Sequence, residues 1–209
     1  MAWNIDELAE RLLIGSTLVE GSTMSESEAR QVLAGHTLQG HPIRELRELT
    51  NYRWATEWLL ERSRESPFLS LDILLGYHAR LMQGLADDAG QFKSHENYTI
   101  RSDGARFDYM PVARVVGSVA AWLADFNQKP ADPVPSAAEL YARFQAMHPF
   151  ADGNGRIGRV LVAYYLHRES ALGFEFYARD KLEHLRAVEA SDTGDLAPLT
   201  AFIQARAKP

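Results

Sequence analysis

Cysteine is missing altogether from the 209 residues. Its absence excludes disulfides, thiolate nucleophiles and cysteine-held zinc together, and it suits a reducing cytoplasm. A basic excess is missing too: 22 Lys and Arg stand against 28 Asp and Glu, a net charge of −6 with the seven histidines counted neutral. General nucleic-acid binding rests on neutralising phosphates with Lys and Arg, so none is expected, and an anionic ligand has to be held by a local site. Long apolar runs are also lacking. The richest windows, around Val115–Phe126 and Val160–Leu166, fall far short of the roughly 20 residues that a membrane span requires. The first ten residues carry Asp6, Glu7 and Glu10 and no basic or apolar stretch, so a secretory signal is not expected.

What is present suffices for a compact core. Hydrophobic residues make up 46% and charged residues 24% of the chain, which argues against disorder. Neither an internal repeat nor a long linker divides it, so one domain of ordinary size is expected. Residues 5–20 have Leu8, Leu12, Leu13, Leu18 and Val19 near helical spacing, with Asn4 placed to cap the start and Gly21 to stop it. Ser25 followed by Glu28 reads as a capping box opening a short helix to about Ala34, with Gly35 ending it. Ile43, Leu46, Leu49, Trp54, Trp58 and Leu59 mark a long amphipathic helix, and Leu71–Leu85 a further one. Pro111 opens another to about Phe126; Pro130–Pro135 reads as a loop, and Ser136–Met147 as helix again.

One stretch departs from the helical period. Asn97–Arg101 and Ala105–Tyr109 are short runs rich in aromatic and β-branched residues, joined through Ser102-Asp103-Gly104, the signal of a β-hairpin. A lone hairpin is marginal in water, so this one must lie against helices. The fold class is all-α with one hairpin.

Chemistry concentrates in residues 148–159, His-Pro-Phe-Ala-Asp-Gly-Asn-Gly-Arg-Ile-Gly-Arg, set between two helices. Gly153 and Gly155 let the backbone approach a ligand closely, and the second helix starts there, where free amides and the dipole favour an anion. Asp152 is the loop's one carboxylate, placed for a divalent cation. Arg156 and Arg159, three apart, share a helix face suited to clamping phosphate oxygens. His148 is the group able to take a proton near neutral pH. No Gly-Lys-Ser/Thr follows, so this is not a Walker A loop. The plain alternative is an ordinary interhelical turn with surface ion pairs. Against it stands the coincidence of base, metal ligand, anion nest and paired arginines within twelve residues.

His148–Arg159 resembles in full the H-x-F-x-[DE]-G-N-G-R-x-x-R signature of the Fic (Fido) family of AMP transferases. The resemblance implies an all-α Fic core that binds ATP with Mg²⁺ and transfers AMP to a Ser, Thr or Tyr hydroxyl of a target protein. It implies His148 as general base, Phe150 as anchor of the loop and Asp152 as Mg²⁺ ligand. It further implies Gly153, Asn154 and Gly155 as the anion nest, and Arg156 and Arg159 as phosphate contacts, Arg159 nearest the γ-phosphate. The hairpin stands where the family's flap would be, with Tyr98, Thr99, Ile100, Arg106, Phe107 and Asp108 offering main chain to the target. Gly90-Gln91-Phe92-Lys93 resembles the run into the flap, with Lys93 in place of the usual Arg at what reads as a peripheral contact.

Ser16-Thr-Leu-Val-Glu20-Gly21 resembles the family's inhibitory motif, [ST]-x-x-x-E-[GN]. It implies that Glu20 pairs with Arg159 and spoils the pose of ATP; the alternative is a solvated charge before a C-cap glycine. Residues 1–35 then form an inhibitory helix and its connector, and 36–209 the core. The segment Gly35–Trp58, with Asn51 and Ala55, resembles the stretch that joins them. The remaining histidines, His36, His41, His78, His95, His167 and His184, show no metal-ligand spacing and read as surface or structural. Other readings stay open at this point. The same site could remove AMP, with Glu20 positioning a water, or could transfer phosphate or UMP, although both loop glycines argue against the phosphate branch. A non-catalytic regulatory module is disfavoured by intact His148 and Asp152. Self-modification is a further expectation.

Overall fold

The computed structural model describes residues 4–209; the first three, part of the stretch read for a secretory signal, lie outside the described residues. Two compact units divide the chain: one runs to Gln91 and includes Glu175–Arg179, and the other comprises Phe92–Phe174 and residues from Asp180 onward.

In the first unit the N-terminal helical run is α1 (Ile5–Leu8), a π-turn (Ala9–Leu13) and α2 (Ile14–Leu18). Asn4 accepts the Asp6 N–H, as a cap should. Leu12, Leu13 and Ile14 are buried. The Arg11 carbonyl in the π-turn accepts the Phe176 N–H at 2.6 Å. Gly15 is required next to it, since a Cβ there would sit 2.2 Å from the Phe176 carbonyl oxygen. Gly21, at φ +100°, ends the run. The capping box forms as expected, with reciprocal bonds between Ser25 and Glu28 opening α3 (Glu26–Leu33).

Helix α4 (Ile43–Glu65) exists, but its buried face differs from the expected stripe. Leu49, Tyr52, Ala55, Thr56 and Leu59 are buried, whereas Ile43 and Trp54 are more than half exposed. Five residues from Leu49 is about 140° around the helix, so Trp54 points away from the face that Leu49 sets. Helix α5 (Leu71–Leu81) stops four residues earlier than expected; Met82 caps it and Gly84 takes φ +67°. The Asn51 side chain joins these helices by donating to the Leu81 and Gln83 carbonyls.

The second unit opens with the hairpin, β1 (Tyr98–Ile100) antiparallel to β2 (Arg106–Asp108), in the register Tyr98 with Asp108 and Ile100 with Arg106. Helix α6 (Val112–Phe126) follows Pro111. Helix α7 runs Pro133–Met147, so two of the prolines assigned to a loop lie in its first turn. Proline is tolerated there because the first turn's N–H groups have no helical acceptor, and the Asp132 side chain takes the Val134 N–H.

Helix α8 (Asn154–Ser170) is buried along most of its length. It meets α7 at Gly158, where a Cβ would clash with the Tyr141 ring and the Gln145 amide. Helices α9 (Lys181–Ser191) and α10 (Ala197–Arg206) pack against each other and against α7. Trp122, Phe126, Phe144 and Tyr165 make an aromatic core. A second small sheet, β3 (Gly173–Phe174) with β4 (Ala207–Lys208), went unanticipated, because two-residue strands carry no alternation to read. Among the described residues no helix is long and apolar enough to cross a membrane.

Candidate functional site

The segment from His148 to Arg159 joins α7 to α8 and runs into the first turns of α8, and local bonds hold it at His148, Phe150, Asp152 and Asn154. His148 takes a left-handed conformation (φ 44°, ψ 61°) as the C-cap of α7, its N–H bonded to the Phe144 carbonyl. That conformation turns the chain sharply out of the helix and costs a non-glycine residue some strain. The imidazole is held twice. Its Nδ1 lies 3.3 Å from the Gln145 carbonyl oxygen, and a carbonyl can only accept, so Nδ1 carries the proton. Nε2 is then the nitrogen with the lone pair in the neutral ring. Across its face the ring stacks on Tyr109, with centroids 3.7 Å apart and planes 12° from parallel.

Phe150 is fully buried and stacks on Phe92 at 5.7 Å. The Asn154 side chain closes the loop by accepting from the Phe150 N–H and donating to the Phe150 carbonyl. What Asn154 presents to a ligand is therefore its backbone. Gly153 has φ +83°, a geometry that favours glycine, and α8 begins immediately after it. The first amides of a helix have no acceptor inside it, so the loop ends on a set of N–H donors.

Asp152 is half exposed at the loop's mouth; its Oδ1 accepts the Gly153 N–H at 2.6 Å and lies 3.4 Å from Arg156 Nη2. Arg156 and Arg159 are each only 3% exposed. Charges so deeply buried are rare unless anions or hydrogen-bonding groups surround them. Anion-favouring amides and two buried cations thus belong to the same helix start.

Contacts distant in sequence extend the site, and the sequence gives no direct signal for them. Lys93, read as peripheral, is buried: its Nζ donates to Asn97 at 2.6 Å and to the Met147 carbonyl, and its N–H to the Pro149 carbonyl. Burial pushes its pKa down. Asn97 in turn donates to the Phe150 carbonyl. The base of the hairpin is thereby fastened to the loop. Tyr109, just past the end of β2, meets Phe107 edge-on at 5.5 Å; the aromatic content of this run was legible in the sequence, but its contact with His148 was not. Tyr141 meets His184 Nε2 at 2.7 Å. Burial, then the positive charges of Arg159 and Arg206, pushes the His184 pKa down to about 3.

The hairpin exposes Tyr98, Ile100, Arg106 and Asp108, while Thr99 and Phe107 are half-buried. Arg101 donates to the Ala105 carbonyl and Tyr109 to that of Asn97. By alternation, the backbone N–H groups of Tyr98, Ile100, Arg106 and Asp108 point away from the partner strand. The second unit therefore brings together the loop residues and the hairpin. Ser16 and Glu20 belong to the first unit. There Ser16 is buried with its hydroxyl 3.1 Å from that of Tyr52, and Glu20 is exposed just past the end of α2.

Residues 68–166 match the model of the Fic/DOC family. Protein adenylyltransferase fic-1 of Caenorhabditis elegans is 28% identical over 190 residues, which cover 88% of this chain and 37% of that protein. The chain thus spans little more than a third of that relative's length. A Fic-domain-containing signalling protein of Bacteroides thetaiotaomicron superposes with a TM-score of 0.88 at 22% identity, over 96% of this chain and 83% of that one. Fic-1 of Caenorhabditis elegans (residues 134–508) superposes with a TM-score of 0.83 at 23% identity, over 98% of this chain and 63% of that one. The fold is that of the solved Fic proteins, and residues 68–166, which hold the whole loop, are similar to the Fic/DOC family model.

Proposed function

We propose that this protein is an AMP transferase that moves AMP from ATP to a Ser, Thr or Tyr hydroxyl of a target protein and releases pyrophosphate. The observation that carries the reading is the loop 148–159, in which His148 is oriented through Nδ1 beside a helix start bearing two buried guanidiniums. The target hydroxyl gives its proton to His148 Nε2 as its oxygen bonds to the α-phosphorus, and the bond to pyrophosphate breaks with its electron pair leaving on the pyrophosphate oxygen. Backbone amides of Asn154 and Gly155, with that of Gly153 once it exchanges the Asp152 carboxylate for phosphate, hold the phosphate oxygens together with Arg156 and Arg159, Arg159 nearest the γ-phosphate. The hairpin takes the target segment by main-chain pairing along Tyr98–Ile100 or Arg106–Asp108.

Asp152 fits a Mg²⁺ ion. Its carboxylate is half exposed, and no group of three His, Asp or Glu able to hold a metal occurs among the described residues. The ion would be shared between Asp152, phosphate oxygens and water, the usual mode for Mg²⁺ with nucleotides. When bound, Mg²⁺ supplies counter-charge to the pyrophosphate.

Residues 1–35 act as an inhibitory element on the core, 36–209, with Glu20 pairing to Arg159 and Ser16 fixing the helix. Self-modification at an exposed hydroxyl accompanies release of that inhibition. The cytoplasm is the setting that a cysteine-free chain suits. The test is labelled ATP and Mg²⁺ with four proteins side by side. Glu20→Gly is expected to raise labelling above wild type and Arg159→Ala to lower it. In the double variant Arg159→Ala should dominate, because coupled sites are non-additive. Equal labelling by wild type and Glu20→Gly would overturn the inhibitory element, and no labelling by any of the four would overturn AMP transfer.

A further inference from the structure

The turn of the hairpin is tied to a helix far along the chain. Arg101 Nη2 lies 2.7 Å from Asp192 Oδ2, and Glu189 accepts both the Ser102 N–H, at 2.6 Å, and the Ser102 hydroxyl. Glu189 lies in the last turn of α9 and Asp192 is its C-cap. Carboxylates are unfavourable at a helix C-terminus, where the dipole is negative, and α9 has no basic residue in its last turn to offset them. Their position makes sense only through partners outside the helix. The Asp192 side chain is 8% exposed; burial pushes its carboxyl pKa up, and the Arg101 guanidinium beside it pulls it back down.

The clamp also continues inward. The Arg101 guanidinium lies over the Phe107 ring at 4.3 Å, Phe107 meets Tyr109 edge-on at 5.5 Å, and Tyr109 stacks on His148. One line of contacts thus runs from the end of α9, through the hairpin's half-buried face, to the imidazole. The outward N–H groups of Tyr98 and Ile100 are left to pair with something else.

We propose that Glu189 and Asp192 are positioning residues that hold the hairpin at the height where a target strand can pair with it above His148. The kinetic half of the test rests on the AMP-transfer reading; the structural half does not. Glu189→Ala and Asp192→Asn are compared with Glu189→Gln, whose amide can still accept the Ser102 N–H and bond the hydroxyl. Hydrogen–deuterium exchange at the Arg101 and Tyr109 amides should quicken about tenfold in the first two variants, the scale of one hydrogen bond to a charged group, while amides of α8 stay unchanged. Glu189→Gln should recover most of the protection.

In a Glu20→Gly background, labelled ATP is then supplied with an array of extended Ser, Thr and Tyr peptides, and the best acceptor is assayed in solution. Its KM should rise about tenfold, with the KM for ATP and kcat within twofold of the parent. Unchanged exchange at the hairpin would overturn the proposal, as would a loss of transfer expressed in kcat or in the KM for ATP. If no peptide is labelled even by the parent, the AMP-transfer reading falls, and the exchange result alone decides whether the two carboxylates hold the hairpin.

Discussion

The loop 148–159 is held mostly by buried contacts, whereas the bonds described for the hairpin 97–109 gather at its base and its turn. Asn154 closes the loop with two bonds to the backbone of one residue, Phe150 is fully buried, and both arginines are nearly inaccessible. In the hairpin, Lys93 and Asn97 fasten the base, Glu189 and Asp192 fasten the turn, and Tyr98 and Ile100 between them are more than half exposed. The difference suits the two tasks that the proposed function gives these regions. Groups that handle phosphates and a proton need fixed places, because misplacement by an ångström removes much of their effect. A strand edge that receives another chain needs open main chain and few side-chain demands.

The largest effect should come from the loop's chemistry. His148→Ala is expected to lower AMP transfer by about 10²- to 10⁴-fold, the usual worth of a positioned base, with ATP affinity within a few-fold of the parent. Single-turnover assay and calorimetric titration with ATP would separate the two quantities, and equal losses in both would make the ring a packing element.

Next in size is the loop's frame. Asn154→Ala takes the side-chain acceptor from the buried Phe150 N–H, while the Phe150 carbonyl keeps the Asn97 amide, so a stability loss of about 1–3 kcal/mol is expected. Denaturant unfolding would show it as a lower midpoint, and an unchanged midpoint would mean that the loop is less rigid than its bonds suggest.

The hairpin should respond by position rather than by burial. Ile100→Pro removes an outward N–H and is expected to reduce target labelling about tenfold with little change in unfolding midpoint. Thr99→Pro lies at a position that faces the partner strand and should disorder the hairpin as well, as hydrogen exchange would report. Indistinguishable effects of the two prolines would erase the assigned difference between the strand's two edges.

The smallest effect concerns pH. Unfolded histidine titrates near 6.5, whereas folded His184 is pushed down to about 3, first by burial and then by Arg159 and Arg206. Between those values the unfolded chain binds a proton that the folded chain refuses, so stability is complete above about pH 6.5 and declines as pH falls toward 3. His184→Gln, able to bond the Tyr141 hydroxyl, should flatten the dependence of Tm on pH over that interval. An unchanged slope would assign the acid sensitivity to other groups.

Much of the loop's content was legible because its parts are contiguous: histidine, carboxylate, glycines and arginines fall within twelve residues, and the helix start that unites them is a local event. The capping box at Ser25, the hairpin and the glycine stops at positions 21 and 35 were legible for the same reason. Errors arose where a local signal had two outcomes. Prolines that usually mark a loop instead opened α7, and Trp54, apolar enough for a core, lay on the far side of a helix whose face Leu49 and Tyr52 had set.

By itself, the sequence determined the helical class, the hairpin and the chemical content of the loop, since all three depend on neighbours a few residues apart. Tertiary structure alone decided that Tyr109 lies on His148, that the Lys93 ammonium reaches the Met147 carbonyl 54 residues on, and that Arg101 meets Asp192 across 91 residues. Pairs so distant leave no periodic trace. They form only when packing buries one partner and makes the other the means of satisfying its charge or hydrogen bond.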